Sequence, residues 1–196
     1  MLGDYTDPTP LRIIGIDPGT ETLGVSVLDV SLTTNQIVLQ YVSTYTATQL
    51  IRLFHLQWIS QVHGEKVARL KAHEENLYSL FTTFRPHEIV SESPYLGRFP
   101  AAYAALVECM SVIRTAVMRY DFRMPLHTLD PPTVKTRLGV SGKSGDKTLM
   151  REGLLRLPDL ENPQRIPIEL LDEHSIDAMA VAYTRARYVT QCNRYG

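Results

Sequence analysis

Four side chains of this sequence have the types and spacing needed to hold divalent cations. Asp17 closes a short apolar stretch at residues 11–17, and Glu92 follows a second apolar stretch at residues 87–91. His174 and Asp177 lie three residues apart in a helical segment, a spacing that puts both side chains on one face of a helix. Carboxylates at neighbouring strand ends, facing a helix that carries more acid, form the oxygen-rich environment that hard cations prefer.

The chemistry open to such a cluster is hydrolysis at phosphorus. Two ions held roughly 4 Å apart activate a water molecule and stabilise the leaving oxygen in an in-line displacement. Each residue also has a plain structural interpretation. Asp17 before Pro18 could shape a turn, Glu92 could be an ordinary strand-end carboxylate, and His174 and Asp177 could be surface residues.

Length and composition indicate one soluble domain of the α/β kind. The chain has 196 residues, of which 44% are hydrophobic and 21% charged, which excludes the disordered, collagen-like and coiled-coil classes. Apolar stretches such as residues 11–16 and 101–110 are too short to span a bilayer, and no signal peptide is evident. Cys109 and Cys192 show no metal spacing. They form no disulfide framework either, which suits a reducing cytosol. We therefore expect a cytoplasmic protein.

Electrostatics give only a local indication of a nucleic-acid partner. The net charge is -1, which does not favour binding to nucleic acid by the chain as a whole. Between residues 135 and 156, however, six basic residues stand against two acidic ones. The basic residues are Lys135, Arg137, Lys143, Lys147, Arg151 and Arg156, and the acidic ones are Asp146 and Glu152. A solvated helical face would have a similar composition.

Hydrophobic periodicity predicts five strands and several helices. The strands are expected at residues 11–17, 22–29, 36–43, 87–91 and 124–128. Residues 44–61 are predicted as a loop plus a short helix around 50–58. Further helices are expected at residues 67–84, 100–119, 132–138, 146–157 and 172–188, with a glycine-rich basic loop at 139–145. Asp172 and Glu173 are predicted to be capping and dipole partners of the last helix.

This order of elements predicts an α/β fold with helices on a mixed sheet of five strands. We expect residues 11–190 to form one domain, preceded by an extension at 1–10 and followed by a tail at 191–196. The alanine-rich start of the helix at 100–119 allows close approach of a neighbour. That neighbour could be a second copy of the chain or the sheet of the same chain.

Four segments together resemble the ribonuclease H-like superfamily, and most closely the RuvC-type Holliday-junction resolvases. They occur in the order and spacing of that family from about residue 11 to 188. The segments are IIGIDPGTETLGVSVLD, IVSESPYLGR with the alanine-rich helix after it, VKTRLGVSGKSGDK, and EHSIDAMAVAYTRAR. The resemblance implies a ribonuclease H-like fold with helices on both faces of the sheet. It also implies a metal-dependent homodimeric endonuclease that makes paired symmetric nicks in four-way DNA junctions.

The resemblance also assigns roles to individual residues. Asp17, Glu92, His174 and Asp177 take the catalytic and metal positions, with two Mg²⁺ ions for which Mn²⁺ could substitute. Many relatives have aspartate at the position of His174, so the imidazole is either a metal ligand or a proton-transfer group. The residues expected to contact DNA are Tyr95, Arg98, Lys135, Lys143 and Lys147. Tyr95 could alternatively pack in the core, and Lys143 is an extra lysine in a loop one residue longer than expected.

Three other functions fit parts of the sequence. A ribonuclease H-like nuclease of structured RNA or other branched DNA shares the Asp-Pro-Gly-Thr start, but those chains are typically shorter. An actin-like or sugar-kinase ATPase has a similar loop, yet it needs a second phosphate loop and a far longer chain, so no nucleotide cofactor is expected. A catalytically inactive junction-binding module would not need all four candidate metal residues.

Overall fold

The computed structural model describes residues 9–96, 99–140 and 147–192. Within these ranges the chain forms six strands and seven α-helices. The strands are β1 Leu11–Asp17, β2 Thr22–Val30, β3 Ile37–Thr46, β4 Glu88–Glu92, β5 Leu126–Leu129 and β6 Leu160–Glu161. The helices are α1 Ala47–Leu53, α2 Gln57–His63, α3 Glu65–Phe84, α4 Pro100–Tyr120, α5 Pro131–Arg137, α6 Lys147–Leu155 and α7 Glu173–Cys192. A short 3-10 helix lies at Ile168–Leu170.

The six strands form one mixed sheet in the order β5-β4-β1-β2-β3-β6. The first three strands are an antiparallel meander, while β4 and β5 run parallel to β1 and β6 runs parallel to β3. The α/β class and the mixed sheet are confirmed, but the count of five strands is wrong. The sixth strand has two residues and pairs only with Ile37 and Val38, so it is too short to show a periodicity.

The segment at 44–61 differs most from its prediction. Strand β3 continues to Thr46, and two helices, α1 and α2, follow in place of one. Their buried residues Leu50, Ile51 and Ile59 pack with Ala68 and Ala72 of α3 in a cluster of their own. Each helix has seven residues, about two turns, which is too short for helical spacing to stand out from the sequence.

Helices cover both faces of the sheet, as the resemblance implied. On one face, α5, α6 and α7 pack against the strands around Ile13, Leu28 and Val90. On the other face, α3 and α4 pack against Ile14, Ile16 and other apolar residues of the strands. Each strand of the meander therefore contributes alternate side chains to two separate apolar clusters. The site described below lies on the first of these faces.

Helix α4 is longer and more apolar than the stretch at 101–110 suggested. It has 21 residues, an 18-residue stretch of it has a mean hydropathy of 1.4, and by length and composition alone it could cross a membrane. A core helix of a soluble protein passes the same test. Cys109, Met110, Ile113 and Val117 of α4 are buried against the sheet and α3. This packing makes α4 a helix of the core, and its other side is exposed.

The bounds of the domain differ slightly from the prediction. Strand β1 begins at Leu11, where the domain was expected to begin. Helix α7 continues to Cys192, so residues 191 and 192, expected in the tail, are helical. Most of the predicted extension and the last four residues lie outside the described residues.

Candidate active site

Asp17 and Glu92 lie at the same edge of the sheet. Strands β1 and β4 are parallel, with Ile16 opposite Ser91, so the two carboxylates occupy the next position on neighbouring strands. Alternation along each strand puts them on the face that α7 covers, since Val90 belongs to the cluster that includes α7. Asp17 is only 9% exposed. The strand ends that carry Asp17 and Glu92 are therefore neighbours in the sheet.

Two glycines let α7 lie directly on the backbones of β1 and β2. A methyl group at Gly15 would overlap the Ala178 carbonyl oxygen, and one at Gly24 would overlap the His174 carbonyl oxygen. Neither site can take a side chain unless the helix moves. The hydroxyl of Ser26 donates a hydrogen bond of 2.9 Å to the Ala178 carbonyl oxygen. This close contact sets the height of the first turn of α7 above the sheet.

His174 is held at both ring nitrogens. Its Nδ1 lies 2.6 Å from Asp17 Oδ2, and its Nε2 lies 2.7 Å from the hydroxyl oxygen of Thr22. A carboxylate only accepts hydrogen bonds, so in the neutral ring Nδ1 carries the proton and Nε2 accepts from Thr22. Asp17 and Thr22 stand on either side of the turn between β1 and β2. One turn of chain therefore orients the imidazole.

The start of α7 is capped as the sequence predicted for Asp172. Its carboxylate accepts a hydrogen bond of 3.0 Å from the Ser175 backbone N–H and one of 2.5 Å from the Thr44 hydroxyl. Burial alone would raise the pKa of Asp172, but the hydrogen bonds from Thr44 and Ser175 lower it overall. The cap thus stabilises the carboxylate form, and it ties the first turn of α7 to β3.

Asp177 lies one helical turn beyond His174 and lines a separate small cavity. The cavity has a volume of about 120 Å³ and is lined also by Thr148, Arg151, Glu173 and Ile176. Arg151 donates a hydrogen bond of 2.7 Å to the Leu171 carbonyl oxygen. Asp177 is therefore at the site edge but not in the His174–Asp17 contact.

The four candidate ligands fit a divalent cation in kind, because three are carboxylates and the fourth is an imidazole. The described parts of the chain hold no group of three or more His, Cys, Asp or Glu side chains placed to share an ion. Of the four, Asp17 and His174 are in direct hydrogen-bond contact.

The candidate DNA-binding residues have different positions. Tyr95 is 64% exposed three residues after Glu92, so the alternative of core packing is wrong. Leu96 and Phe99, which the sequence reasoning did not single out, are also exposed. Lys135 is half-buried on α5, and Lys147 is the first residue of α6. Arg98, Lys143 and most of the loop at 139–145 lie outside the described residues.

Two residues that the sequence reasoning missed contact the site or its supports. Thr22 was treated only as a strand residue, and no pattern in the sequence distinguishes its hydroxyl. His73 is completely buried on α3, and here a signal was present. It lies three residues after Leu70 and four before Leu77 on the apolar stripe of that helix, where a titratable side chain is unusual.

Sequence comparison finds related proteins of the predicted kind. No family model matches the chain. The chain is 27% identical over 184 residues to the crossover junction endodeoxyribonuclease RuvC of Xanthomonas oryzae, covering 92% of this chain and 91% of the relative. It is 25% identical over 186 residues to the RuvC of Stenotrophomonas maltophilia, covering 94% and 93%.

Solved structures show the same fold. The RuvC of Thermus thermophilus aligns with a TM-score of 0.67 and 18% identity over 93% of this chain and 98% of that chain. A yeast mitochondrial Holliday junction resolvase aligns with a TM-score of 0.67 and 14% identity over 98% and 84%. The Thermus protein in complex with a Holliday junction substrate aligns with a TM-score of 0.65 and 19% identity over 93% and 96%.

The class of the protein follows from the sheet order, the helices on both faces and these alignments, which together define a ribonuclease H-like fold. Within that class, the resemblance to the RuvC-type resolvases is confirmed over nearly the whole chain.

Proposed function

We propose that the protein is a structure-selective endonuclease that resolves four-way DNA junctions by paired symmetric nicks. The observation that carries this proposal is the hydrogen bond between His174 and Asp17 at the sheet edge where β4 also ends, at Glu92. Full-length similarity to crossover junction endodeoxyribonucleases supports it. The junction bound in the aligned Thermus complex supports a branched DNA substrate.

Catalysis depends on divalent metal, with Asp17, Glu92, His174 and Asp177 as the residues that would hold it. Two Mg²⁺ ions suit a set dominated by carboxylates, and Mn²⁺ could replace them. Bound metal would supply an activated water molecule and neutralise the leaving oxygen. Without it, carboxylates gathered at one site repel each other.

The residues of the chain have two tasks in this reaction. Asp17 accepts a hydrogen bond from Nδ1–H of His174, and the Thr22 hydroxyl donates one to Nε2, so the ring is oriented before DNA arrives. In the neutral ring, Nε2 holds the lone pair. His174 can use this lone pair either to bind metal or to accept a proton, in both cases at the expense of its bond to Thr22.

Binding of the junction is assigned to side chains around this edge. Tyr95 offers an exposed ring for stacking on unpaired bases, a contact that tolerates any base sequence. Arg98, Lys135, Lys143 and Lys147 would contact backbone phosphates. The chain carries a net charge of -1, so this local basic region has to provide the electrostatic attraction.

Paired nicks require two active sites, so the protein is expected to act as a homodimer. Three of the four alanines at the start of α4 are exposed. Ala101, Ala102 and Ala104 are exposed, and so is Val107 one turn later. This exposed side of α4 is the proposed dimer interface. The cytoplasm, where the junctions would arise, is the proposed location.

The test is a cleavage assay on labelled four-way, three-way and linear duplex DNA, with Mg²⁺ or with a chelator. We expect paired nicks in the four-way junction, with 5′-phosphate and 3′-hydroxyl ends, and no cutting with chelator. Equal cutting of the linear duplex would contradict junction selectivity. Cutting in the chelator would contradict metal dependence. Sedimentation showing only monomer with junction DNA would contradict paired nicking.

A further inference from the structure

The turn between β1 and β2 carries both residues that hold His174. Asp17 is the last residue of β1 and Thr22 is the first of β2, with residues 18–21 between them. A shift of this turn would change both hydrogen bonds to His174 together. What holds the turn is therefore part of what orients the imidazole.

Two buried side chains donate hydrogen bonds to successive carbonyl groups of this turn. Cys109 Sγ of α4 lies 3.6 Å from the Gly19 carbonyl oxygen. His73 Nε2 of α3 lies 3.2 Å from the Thr20 carbonyl oxygen. Carbonyl oxygens only accept, so the thiol donates its S–H and the imidazole donates its Nε2–H. The two donors come from different helices on the side of the sheet opposite α7.

A third contact continues the series at the next residue of the turn. Arg69, one helical turn before His73, forms an ion pair with Glu21. The Glu21 carbonyl oxygen also accepts a hydrogen bond of 2.8 Å from the Ala47 N–H at the start of α1. Side chains of α3 and α4 therefore contact three consecutive residues of the turn, Gly19, Thr20 and Glu21.

The two donors are fully enclosed and uncharged. His73 and Cys109 each have 0% exposure. Burial lowers the pKa of His73 to about 4 and raises the pKa of Cys109 to about 12. Both groups therefore stay neutral at ordinary pH and add no charge beside Asp17. His73 Nδ1 has no hydrogen-bond partner in the described part of the chain, so the contact with Thr20 is the one polar role visible for this ring.

We propose that His73 and Cys109 are positioning residues, which hold the Gly19 and Thr20 carbonyls and so fix Asp17 and Thr22 around His174. Neither touches the reacting atoms. The proposal rests on the proposed function for its effect on catalysis. Its structural part, the restraint of the turn, is independent of any substrate.

The test compares variants that keep or remove each donor. His73→Gln and Cys109→Ser keep a donor, while His73→Leu and Cys109→Ala remove it. Asn76→Leu is the matched control, because Asn76 is a buried polar residue of the same helix, 5% exposed, whose Nδ2 has no hydrogen-bond partner in the described part of the chain. Junction affinity, kcat and KM are measured for each, and hydrogen exchange of the amides at 19–22 is measured without DNA or metal.

We expect kcat to fall at least tenfold in His73→Leu and Cys109→Ala, with KM and junction affinity unchanged within about threefold. The donor-keeping variants and Asn76→Leu should stay within about threefold of the original chain. Amide exchange at 19–22 should rise only where a donor is removed. If His73→Leu does not fold, the Cys109 pair carries the comparison.

The proposal is overturned if the donor-removing variants keep their kcat and their exchange rates, or if Asn76→Leu loses kcat equally. An original chain that cuts no junction would refute the proposed function alone. Hydrogen exchange would then still decide whether the turn is held by these two donors.

Discussion

The two faces of the sheet hold their helices in different ways. On one face, α7 lies against bare backbone at Gly15 and Gly24, while side chains such as Ile13 and Leu28 fill the rest of the contact. On the other face, large apolar side chains such as Ile14, Ile16 and Phe81 separate the strands from α3 and α4. At the two glycines of the first face the strand has no side chain that could adjust to a shift of the helix, whereas the second contact is made of many such side chains.

This difference fits the position of the candidate site. His174 and Asp177 extend from the helix that touches strand backbone. The distance of these two side chains from the sheet is therefore set by backbone contacts at Gly15 and Gly24. Side-chain packing relaxes partly when an atom is lost or gained, whereas a backbone contact has no rotamer with which to adjust. We therefore expect the α7 face to control activity and the α3–α4 face to control mainly stability.

The largest effect is expected from Gly24→Ala. The added methyl group overlaps the His174 carbonyl oxygen, so the first turn of α7 must lift and the contact with Asp17 must lengthen. We expect junction cleavage to fall at least about 100-fold, since small misplacements at a reacting centre cost that much. The measurement is kcat at a temperature where circular dichroism shows a folded chain.

Leu77→Ala is the control on the opposite face. Leu77 is fully buried in the α3–α4 cluster, and its truncation should cost about 2 to 5 kcal/mol of unfolding free energy. We expect its kcat to stay within about threefold of the original while the chain is folded. Equal losses of kcat in Gly24→Ala and Leu77→Ala would end the distinction between the faces.

The next largest effect is a pH dependence of the free energy of unfolding, caused by His73 on α3. The pKa of His73 is about 4 in the folded chain because it is buried, against about 6.5 when unfolded. As pH falls from about 6.5 to 4, the unfolded chain takes up a proton that the folded chain does not. The contribution of His73 to the free energy of unfolding is therefore fully present above pH 6.5. It falls by up to about 3 kcal/mol as the pH is lowered towards 4.

His73→Gln should flatten that part of the pH dependence, because glutamine does not titrate. Urea unfolding of both proteins at pH 7 and pH 4.5 measures the difference. An identical fall in unfolding free energy for the two proteins would show that His73 does not titrate as its burial requires.

A smaller effect is expected at the α7 face from His174→Asp. If the imidazole is a metal ligand, replacing it by a carboxylate should shift preference from Mn²⁺ towards Mg²⁺ by about tenfold. The acid limb of the rate profile should also move to lower pH, since a neutral imidazole is no longer needed. Cleavage rates in each metal across pH test this. An equal loss of rate with both metals would instead favour proton transfer by His174.

The smallest effect is expected outside both contacts, at Lys135. Removing one phosphate contact should lower the slope of log affinity against log salt by about one unit for all junction sequences. A salt titration of Lys135→Gln against Arg165→Gln, a basic residue remote from α5 in sequence, makes the comparison. If the two variants had equal slopes of log affinity against log salt, Lys135 would be a solvated surface residue with no phosphate contact.

The elements that the sequence predicted best are those whose apolar residues repeat over many positions. Strands β1 and β2 and helices α3, α4 and α7 lie within a few residues of their predicted bounds, because each buries a continuous stripe or run. The two-residue strand β6 and the helices α1 and α2 were missed or merged. Strand β6 pairs with β3, about 120 positions earlier in the chain, and α1 and α2 have only seven residues each.

The site was predicted in its outline but not in its supports. Asp17, Glu92 and His174 could be proposed from the sequence because strand ends and helix spacing have regular geometry. Thr22, Gly24 and Cys109 act through contacts with residues up to 152 positions away, and no local pattern encodes such a contact. His73 was detectable as a polar residue on an apolar stripe, although its target, the Thr20 carbonyl, was not.

The most direct test of the central claim is cleavage and binding of one labelled four-way junction by the original chain and by Asp17→Asn, both in Mg²⁺. Amide and carboxylate have nearly the same shape, so folding and junction binding should be retained, with binding unchanged or tighter. Cleavage should fall at least about 1,000-fold, because the variant loses the charge that orients His174 and that, in our proposal, would hold metal. Near-normal cleavage by Asp17→Asn would contradict the assignment of the active site to this edge of the sheet.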